Sequence, residues 1–160
     1  MVHVGDTAPT FALADQFGTS HSLSSYTGRY VLLYFYPKDA TPGCTVEACA
    51  VQDEMPNFDR LKTAVFGISA DTVESHARFS AKQKLKFPLL SDPDKSVIRA
   101  YGVWGRKSFM GRTYMGIRRM SFLISPEGKI AKVYDTVKPR THAEEVIQDI
   151  EALRAKKKGD

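Results

Sequence analysis

Residues 31–49 read VLLYFYPKDATPGCTVEAC, and this stretch carries the strongest structural signal in the chain. It opens with an unbroken run of β-forming residues that ends at Pro37. Such a run is typical of a strand buried on both faces, as in a sheet covered by helices. The turn at Pro42 and Gly43 is followed by residues without a helix breaker. The sequence therefore predicts a strand, a tight turn and a helix that begins close to Cys44.

Hydrophobic periodicity and turn residues predict the elements on either side of this unit. An N-terminal β-hairpin is expected from residues 10–13 and 21–23, and the glycine-rich residues 102–116 are expected to form a loop. Pro56 is expected to bend or interrupt the helix after Cys44. Further strands are predicted at residues 64–69, 87–90, 119–124 and 130–134, and helices at residues 71–85, 92–102 and 141–153. This order predicts an α/β fold with a mixed central sheet flanked by helices.

Length and charge narrow the possible functions. A chain of 160 residues is expected to form one domain, residues 1–160. The net charge is +5, with much of the positive charge in residues 99–119 and in a basic tail at about 154–160. We interpret the tail as a solvated helix end, and predict neither a nucleic acid nor a membrane as partner. The N-terminus lacks an export signal, so a cytoplasmic location is expected.

Cys44 is the first candidate for a reactive residue. Its place after a strand and a Pro-Gly turn puts it in the first turn of the predicted helix. Free backbone N–H groups and the positive end of the helix dipole both favour a thiolate there. The thiolate is the nucleophilic form of cysteine. The alternative is that Cys44 is a small buried hydrophobic residue, as most free cysteines are.

Cys49 follows Cys44 by five residues. On an intact α-helix this spacing separates the two Cα atoms by roughly 8 to 9 Å and turns the side chains about 140° apart. A disulfide requires a Cα separation below about 7 Å. Either Cys49 belongs to the core, or the helix unwinds locally before the two sulfur atoms meet.

The histidines disfavour two other cysteine chemistries. None stands at zinc-ligand spacing to the cysteines. A cysteine hydrolase needs a histidine as base beside its cysteine, and no histidine lies in the turn next to Cys44. The fold can still bring a histidine from elsewhere in the sequence close to Cys44. We therefore expect packing or surface roles for all four, which are His3, His21, His76 and His142.

The residues around Cys44 resemble a known family. Residues 37–44, PKDATPGC, are similar to the active-site signature Pro-x-x-x-Thr-x-x-Cys of the peroxiredoxins. Similarity to one branch, the Q type or bacterioferritin comigratory protein, continues in TVEAC (45–49), GVWG (102–105), KSFMG (107–111) and GIRRMSFLI (116–124). The resemblance extends from about residue 4 to about residue 153. It implies a thioredoxin-like fold with the N-terminal β-hairpin extension of the peroxiredoxins.

The resemblance also implies a reaction. The chain would reduce hydrogen peroxide and organic hydroperoxides, with Cys44 as the peroxidatic cysteine and Cys49 as the resolving one. The two would form an intramolecular disulfide after local unwinding, and thioredoxin or a similar dithiol would reduce it. No metal or organic cofactor is implied, and a monomer is expected.

Four more residues receive roles from the same resemblance. Thr41 would hydrogen-bond the incoming peroxide through its hydroxyl, and Arg119 would hold the thiolate and polarise the O–O bond. Pro37 would shield the site from water. The backbone N–H groups of Gly43 and Cys44 would complete the binding site.

Two other functions stay open on the residues themselves. General thiol–disulfide exchange is one, although its cysteines are typically spaced as Cys-x-x-Cys. The other is a redox-sensing or holdase module, in which opening of the helix would expose Val46, Val51 and Met55.

Overall fold

The fold is given by a computed structural model that describes residues 2–158. In this range the chain forms strands β1 (Ala12–Ala14), β2 (Ser20–Ser22), β3 (Val31–Phe35), β4 (Ala64–Ser69), β5 (Leu89–Ser91), β6 (Trp104–Phe109), β7 (Arg112–Ile117), β8 (Met120–Ile124) and β9 (Ile130–Tyr134). The helices are α1 (Pro42–Arg60), α2 (Val73–Gln83), α3 (Ser96–Ala100) and α4 (His142–Lys158), and a 3₁₀ turn covers Leu23–Tyr26.

The central sheet is seven-stranded and mixed, with the order β2-β1-β5-β4-β3-β8-β9. Strand β3 is parallel to β4 and antiparallel to β8, and β4 is parallel to β5. The N-terminal hairpin pairs β1 with β2 and joins the sheet through β5. This is the thioredoxin-like α/β fold with an N-terminal hairpin that the sequence predicted.

Strand β3 is buried along its whole length because both faces of the sheet are covered. Alternate residues of a strand point to opposite faces. Leu32 and Tyr34 pack in one core with residues of α1 and α4, whereas Leu33 and Phe35 pack in a second core with residues of α3. The sheet therefore fixes the end of β3, from which the chain continues to Cys44.

Pro56 was expected to bend or interrupt α1, and the helix continues through it, so the expected interruption is absent. The φ of proline suits a helix, and its cost is mainly one missing hydrogen bond and a clash with the preceding turn. Buried Val51 and Phe58 lie on either side of Pro56 and pack in the core under the sheet. This burial offsets the local cost of the proline.

The predicted boundaries of two helices also differ from those observed. Thr72, not Asp71, is the N-cap of α2, and its hydroxyl accepts the backbone N–H of Ser75 at 3.1 Å. Helix α3 begins only at Ser96. The carboxylate of Asp92 instead accepts the backbone N–H of Ile98 at 2.8 Å.

Strand β5 is an interior strand, since it pairs with both β4 and β1. Pro88 directly precedes β5. Because the proline lies outside the strand, its missing N–H removes no hydrogen bond between strands. The strand was predicted at residues 87–90, so the observed strand begins two residues later, directly after Pro88.

The glycine-rich segment after Gly102 is a β-hairpin rather than a loop. Strands β6 and β7 pair antiparallel with each other in a separate two-stranded sheet. Their connection is Met110-Gly111, and both residues have positive φ, 52° and 78°. Two successive positive φ values are the requirement of the tight type I′ hairpin turn. Glycines thus permit the hairpin instead of preventing it.

Helix α4 runs to Lys158, so the basic tail is helical as far as the structure describes it, and its last two residues lie outside the described range. Val146, Ile147 and Ile150 of this helix pack in the core. Within residues 2–158 no helix has the length and apolar character needed to cross a membrane.

Candidate active site

Cys44 lies in the first turn of α1, next to the end of the central strand β3. Thr41 occupies the N-cap position and Pro42 the first helical position, where its missing N–H costs nothing. The N–H groups of Gly43 and Cys44 belong to the first turn, whose donors have no partner inside the helix. Cys44 itself is 2% exposed. The local sequence thus places the sulfur at the positive end of the helix dipole.

Arg119, the residue directly before β8, brings a guanidinium group to this sulfur. Its Nη2 atom lies 3.3 Å from Cys44 Sγ, and its Nη1 atom lies 2.6 Å from Glu47 Oε1. A side chain at Gly43 would place its Cβ 3.0 Å from Arg119 Nη2. Glycine at this position therefore lets the guanidinium approach the helix closely. The structure brings Cys44, Gly43 and Arg119 together.

Glu47 is a residue of this site that the sequence reasoning missed. It lies one helical turn after Cys44 and is buried, and burial raises its pKa to about 7 despite the opposing effect of Arg119. Its second oxygen, Oε2, has no hydrogen-bond partner among the described residues. The spacing of three residues, which puts two side chains on one helix face, was the available signal.

The charges around Cys44 act on one another. Burial disfavours the charge of Arg119, but the Cys44 sulfur and the Glu47 carboxyl together raise the pKa of Arg119 above its ordinary value. Burial and the charge of Arg119 lower the pKa of Lys107, and Cys44 partly offsets this. Two cationic side chains, one on β6 and one directly before β8, therefore lie in the field of the Cys44 sulfur.

Cys49 lies further along the unbroken helix and is not in contact with Cys44. Both cysteines are free thiols, and the Cys49 Sγ donates to Gln83 Oε1 of α2 at 3.5 Å. The intact helix keeps the five-residue separation that is too long for a disulfide.

The loop that connects β3 with α1 carries the two other candidate residues, Pro37 and Thr41. Pro37 is half-buried in this loop. The Thr41 hydroxyl donates to the carbonyl oxygen of Lys38 at 2.9 Å instead of capping the helix. The oxygen of Thr41 is therefore held by the loop that precedes Cys44.

A buried polar network that the sequence did not reveal holds the same loop. The Asp39 carboxylate accepts from the Tyr36 hydroxyl at 2.6 Å, and its other oxygen lies 2.7 Å from His76 Nδ1. The backbone N–H of Asp39 donates to Asp71 Oδ2 at 2.8 Å, and His76 Nε2 lies 3.0 Å from the carbonyl oxygen of Leu90. Helix α2 and strand β5 thus fix the loop through contacts between residues far apart in sequence.

Asp39, Asp71 and His76 also form the cluster best placed to hold a metal ion, since one ligand atom of each lies within 4.8 Å of the others. Asp39 Oδ2 already lies 2.7 Å from His76 Nδ1. Asp71 Oδ2 accepts from the backbone N–H of Asp39 at 2.8 Å and from the Ser69 hydroxyl at 2.7 Å. Their hydrogen bonds account for the cluster without an ion.

A thioredoxin-like fold with a guanidinium-bound thiol at a helix N-terminus defines a thiol-dependent oxidoreductase. The AhpC/TSA family model matches residues 4–133. Peroxiredoxin Bcp of Escherichia coli K12 is 50% identical over 143 residues, which is 89% of this chain and 92% of the relative. Peroxiredoxin Bcp of Bacillus subtilis is 40% identical over 155 residues, 97% of this chain and 99% of the relative.

Solved structures agree with these sequence relatives. A variant of the Xylella fastidiosa protein PrxQ superposes with a TM-score of 0.91 at 37% identity, covering 96% of this chain and 98% of that one. The bacterioferritin comigratory protein of Xanthomonas campestris, studied for alkyl peroxide reduction, has a TM-score of 0.86 at 37% identity and covers 95% and 97%. The chain belongs to the AhpC/TSA family of peroxiredoxins, in its Bcp/PrxQ branch. It is a peroxidase that uses thiol reductants.

Proposed function

We propose that this chain reduces hydrogen peroxide and organic hydroperoxides by attack of the Cys44 thiolate on a peroxide oxygen. The observation that carries this proposal is the 3.3 Å contact between Arg119 Nη2 and Cys44 Sγ at the N-terminus of α1. A fixed cation at this distance attracts the negative charge of the attacking sulfur. It also remains in place when negative charge moves from sulfur to the leaving oxygen.

In the first step, Cys44 S⁻ attacks the nearer oxygen of ROOH, a new S–O bond forms and the O–O bond breaks. The leaving alkoxide takes up a proton to give an alcohol, or water when the substrate is hydrogen peroxide. The donors for the two peroxide oxygens are Arg119 and the N–H groups of Gly43 and Cys44. The Thr41 hydroxyl, whose proton is donated to the carbonyl oxygen of Lys38, accepts a hydrogen bond from the peroxide O–H. Donors aimed along the path of the shifting charge stabilise the transition state more than the ground state. Pro37 shields the reacting atoms from water.

In the second step, the Cys49 thiolate attacks the Cys44 sulfenic acid, the S–S bond forms and the S–O bond breaks. The hydroxide that leaves takes up a proton to give water. The observed α1 must unwind around residues 44–49 for the two sulfurs to meet. Unwinding separates Arg119 from Glu47 and Cys49 from Gln83, which are contacts of 2.6 and 3.5 Å. The resolving step therefore has a conformational barrier that the first step lacks.

In the third step, thioredoxin or a similar dithiol protein reduces the disulfide and restores both thiols. The proposal places this cycle in the cytoplasm, where thiol reductants are abundant. It treats residues 1–160 as one domain that acts as a monomer. The packing of two cores on the two faces of one sheet supports the single domain.

The test is the stoichiometry of the reduced protein with hydrogen peroxide. We expect one peroxide and two thiols to be consumed per chain, and none by Cys44→Ser. The matched Cys49→Ser variant should consume one peroxide and accumulate a sulfenic acid that dimedone traps. Undiminished turnover in Cys44→Ser would rule out the proposal, and rapid reduction of insulin disulfides without peroxide would indicate general thiol–disulfide exchange.

A further inference from the structure

Strands β6 and β7 with their turn, residues 104–117, form a surface that we call the basic hairpin. Among the described strands these two pair only with each other, in a sheet separate from the seven-stranded one. Phe109 is 66% exposed and Met110 is 86% exposed at the tip, and Tyr114 and Met115 on β7 are about half exposed. Monomeric proteins seldom expose large apolar side chains in contiguous groups without a binding role.

The charge of this segment is entirely positive. Residues 104–119 contain five cations and no acidic residue, namely Arg106, Lys107, Arg112, Arg118 and Arg119. Arg106, Arg112 and Arg118 are exposed. These cations stand beside the apolar side chains, because Arg112 pairs across the strands with Phe109 and Arg106 pairs with Met115. Such a surface matches a partner that combines apolar and acidic residues.

The base of the basic hairpin lies at the active site. Lys107 on β6 donates from Nζ to the carbonyl oxygen of Ile117 at 3.0 Å and feels the charges of both Cys44 and Arg119. The paired register puts Lys107, Tyr114, Phe109 and Arg112 on one face of the hairpin. One face of the basic hairpin therefore extends from the neighbourhood of the Cys44 sulfur to the exposed tip.

We propose that the basic hairpin is the docking surface for the protein that reduces the oxidised chain, and that this partner is an acidic dithiol protein with apolar residues around its reactive cysteine. The inference rests on the proposed function, because only a disulfide-forming peroxidase needs such a partner. A reductant must contact the disulfide formed by Cys44 and Cys49, so its footprint includes the start of α1. A standard interface of about 800 Å² per partner is roughly 30 Å across, and a six-residue strand is about 20 Å long. One footprint therefore covers both the disulfide and the hairpin tip.

The electron transfer balances with the partner as the two-electron donor. One thiolate of the partner attacks a sulfur of the Cys44–Cys49 disulfide, which forms a mixed disulfide and releases the other cysteine as a thiolate. The second thiolate of the partner then breaks the mixed disulfide. The chain leaves with two reduced cysteines, and the partner leaves with an intramolecular disulfide. Attraction between the basic hairpin and an acidic partner speeds the encounter and makes it sensitive to salt.

The test compares three reactions in hairpin variants and in a control. The variants are Arg112→Glu, which reverses a charge, and the double variant Phe109→Ser/Met110→Asn, which removes the apolar tip. The control is Lys156→Glu on α4, because the neighbouring Arg154 bonds the carbonyl oxygen of Leu61 at the far end of α1 from Cys44. The reactions are peroxide turnover with an acidic bacterial thioredoxin and its reductase, turnover with dithiothreitol, and the single-turnover reaction with hydrogen peroxide.

We expect kcat/KM for thioredoxin to fall at least 10-fold in both hairpin variants and less than 2-fold in the control. The other two reactions should change less than 2-fold in every variant. Raising the salt concentration should lower kcat/KM for thioredoxin in the wild type and have less effect in Arg112→Glu.

Three results would overturn the inference. The first is a wild-type kcat/KM for thioredoxin in both hairpin variants. The second is an equal loss with dithiothreitol, since the hairpin would then support the chemistry or the fold. The third is a wild-type dimer in sedimentation that the hairpin variants dissociate, because the apolar tip would then bind a second copy. Absence of turnover with dithiothreitol in the wild type would instead contradict the proposed function itself.

Discussion

The guanidinium of Arg119 lies 3.3 Å from the sulfur of Cys44, although the two residues are 75 positions apart in the chain. The same guanidinium binds the carboxylate of Glu47 through its other nitrogen at 2.6 Å. Arg119 is thus held in a fixed orientation by a buried acid while it contacts the reactive thiol. The first two predictions follow from these two contacts of one guanidinium group.

Arg119→Lys should lower the rate constant of Cys44 with hydrogen peroxide by about 100-fold, the loss typical of one preorganised donor in an active site. Lysine keeps the charge but cannot bind Glu47 and Cys44 at once with two nitrogens. Stopped-flow measurement of the first step gives this rate directly. Arg118→Lys, at an exposed neighbouring position, is the matched control and should change the rate less than 2-fold. A wild-type rate in Arg119→Lys would show that simultaneous contact of the guanidinium with Cys44 and Glu47 has no catalytic effect.

Glu47→Gln should change how stability depends on pH. The pKa of Glu47 is about 7 in the folded chain and 4.5 for an ordinary glutamate. Between these values the folded chain holds a proton that the unfolded chain releases, so the free energy of unfolding falls as pH rises. Over this window the wild type should lose about 3 kcal/mol relative to Glu47→Gln.

Urea titrations at several pH values between 4.5 and 8 measure this difference. Glu144→Gln, which changes an exposed glutamate of α4, should keep the pH profile of the wild type. Parallel profiles for wild type and Glu47→Gln would show that the buried carboxyl titrates as it does in water.

Gln83→Ala should accelerate disulfide formation after the first step. The Gln83 side chain holds the Cys49 thiol against α2 at 3.5 Å, and this contact is lost when α1 unwinds. One hydrogen bond of about 0.5 to 1.5 kcal/mol corresponds to an increase in rate of roughly 2- to 10-fold. Rapid quenching followed by mass spectrometry reports the disulfide. Gln148→Ala on α4 is the control, and a slower or unchanged rate in Gln83→Ala would contradict the prediction.

Asp39→Ala should destabilise the fold by about 3 kcal/mol and slow the reaction with peroxide. The substitution leaves Tyr36 and His76 without their acceptor in a buried site, and it frees the loop that carries Thr41. Burial raises the pKa of Asp39, but the hydrogen bonds from His76 and Tyr36 outweigh this effect and keep that pKa below its ordinary value. The stabilisation is therefore present above the pKa of an unfolded aspartate and disappears as pH falls through the lower folded value.

Urea unfolding and stopped-flow kinetics check the two effects of Asp39→Ala together. Asp135→Ala, at an exposed aspartate, is the control for the removal of one negative charge. Loss of stability without any loss of rate would mean that the network supports only the fold.

The sequence predicted the parts of this structure that depend on neighbouring residues. The apolar run of β3 and the start of α1 at the Pro-Gly turn follow from local preferences, and both were found. The position of Arg119 beside Cys44 was also predicted, but through resemblance to a family, because no local pattern relates the two residues.

The features that the sequence did not reveal depend on distant contacts. The network of Asp39 and His76 joins residues 37 positions apart, and a lone histidine gives no sign of its partner. Pro56 was expected to bend or interrupt α1, but the helix continues through it because the burial of Val51 and Phe58 outweighs its local cost. The hairpin of β6 and β7 was interpreted as a loop, since glycines were counted as breakers and not as turn residues with positive φ.

The central claim is that Cys44 reacts first and that Cys49 reaches it only after α1 unwinds. The most direct test is a crystal structure of the chain after reaction with one equivalent of hydrogen peroxide. We predict a disulfide between Cys44 and Cys49, with residues 42–49 no longer helical and Cys49 separated from Gln83. An oxidised Cys44 with α1 intact and Cys49 still a free thiol after the reaction is complete would contradict the claim.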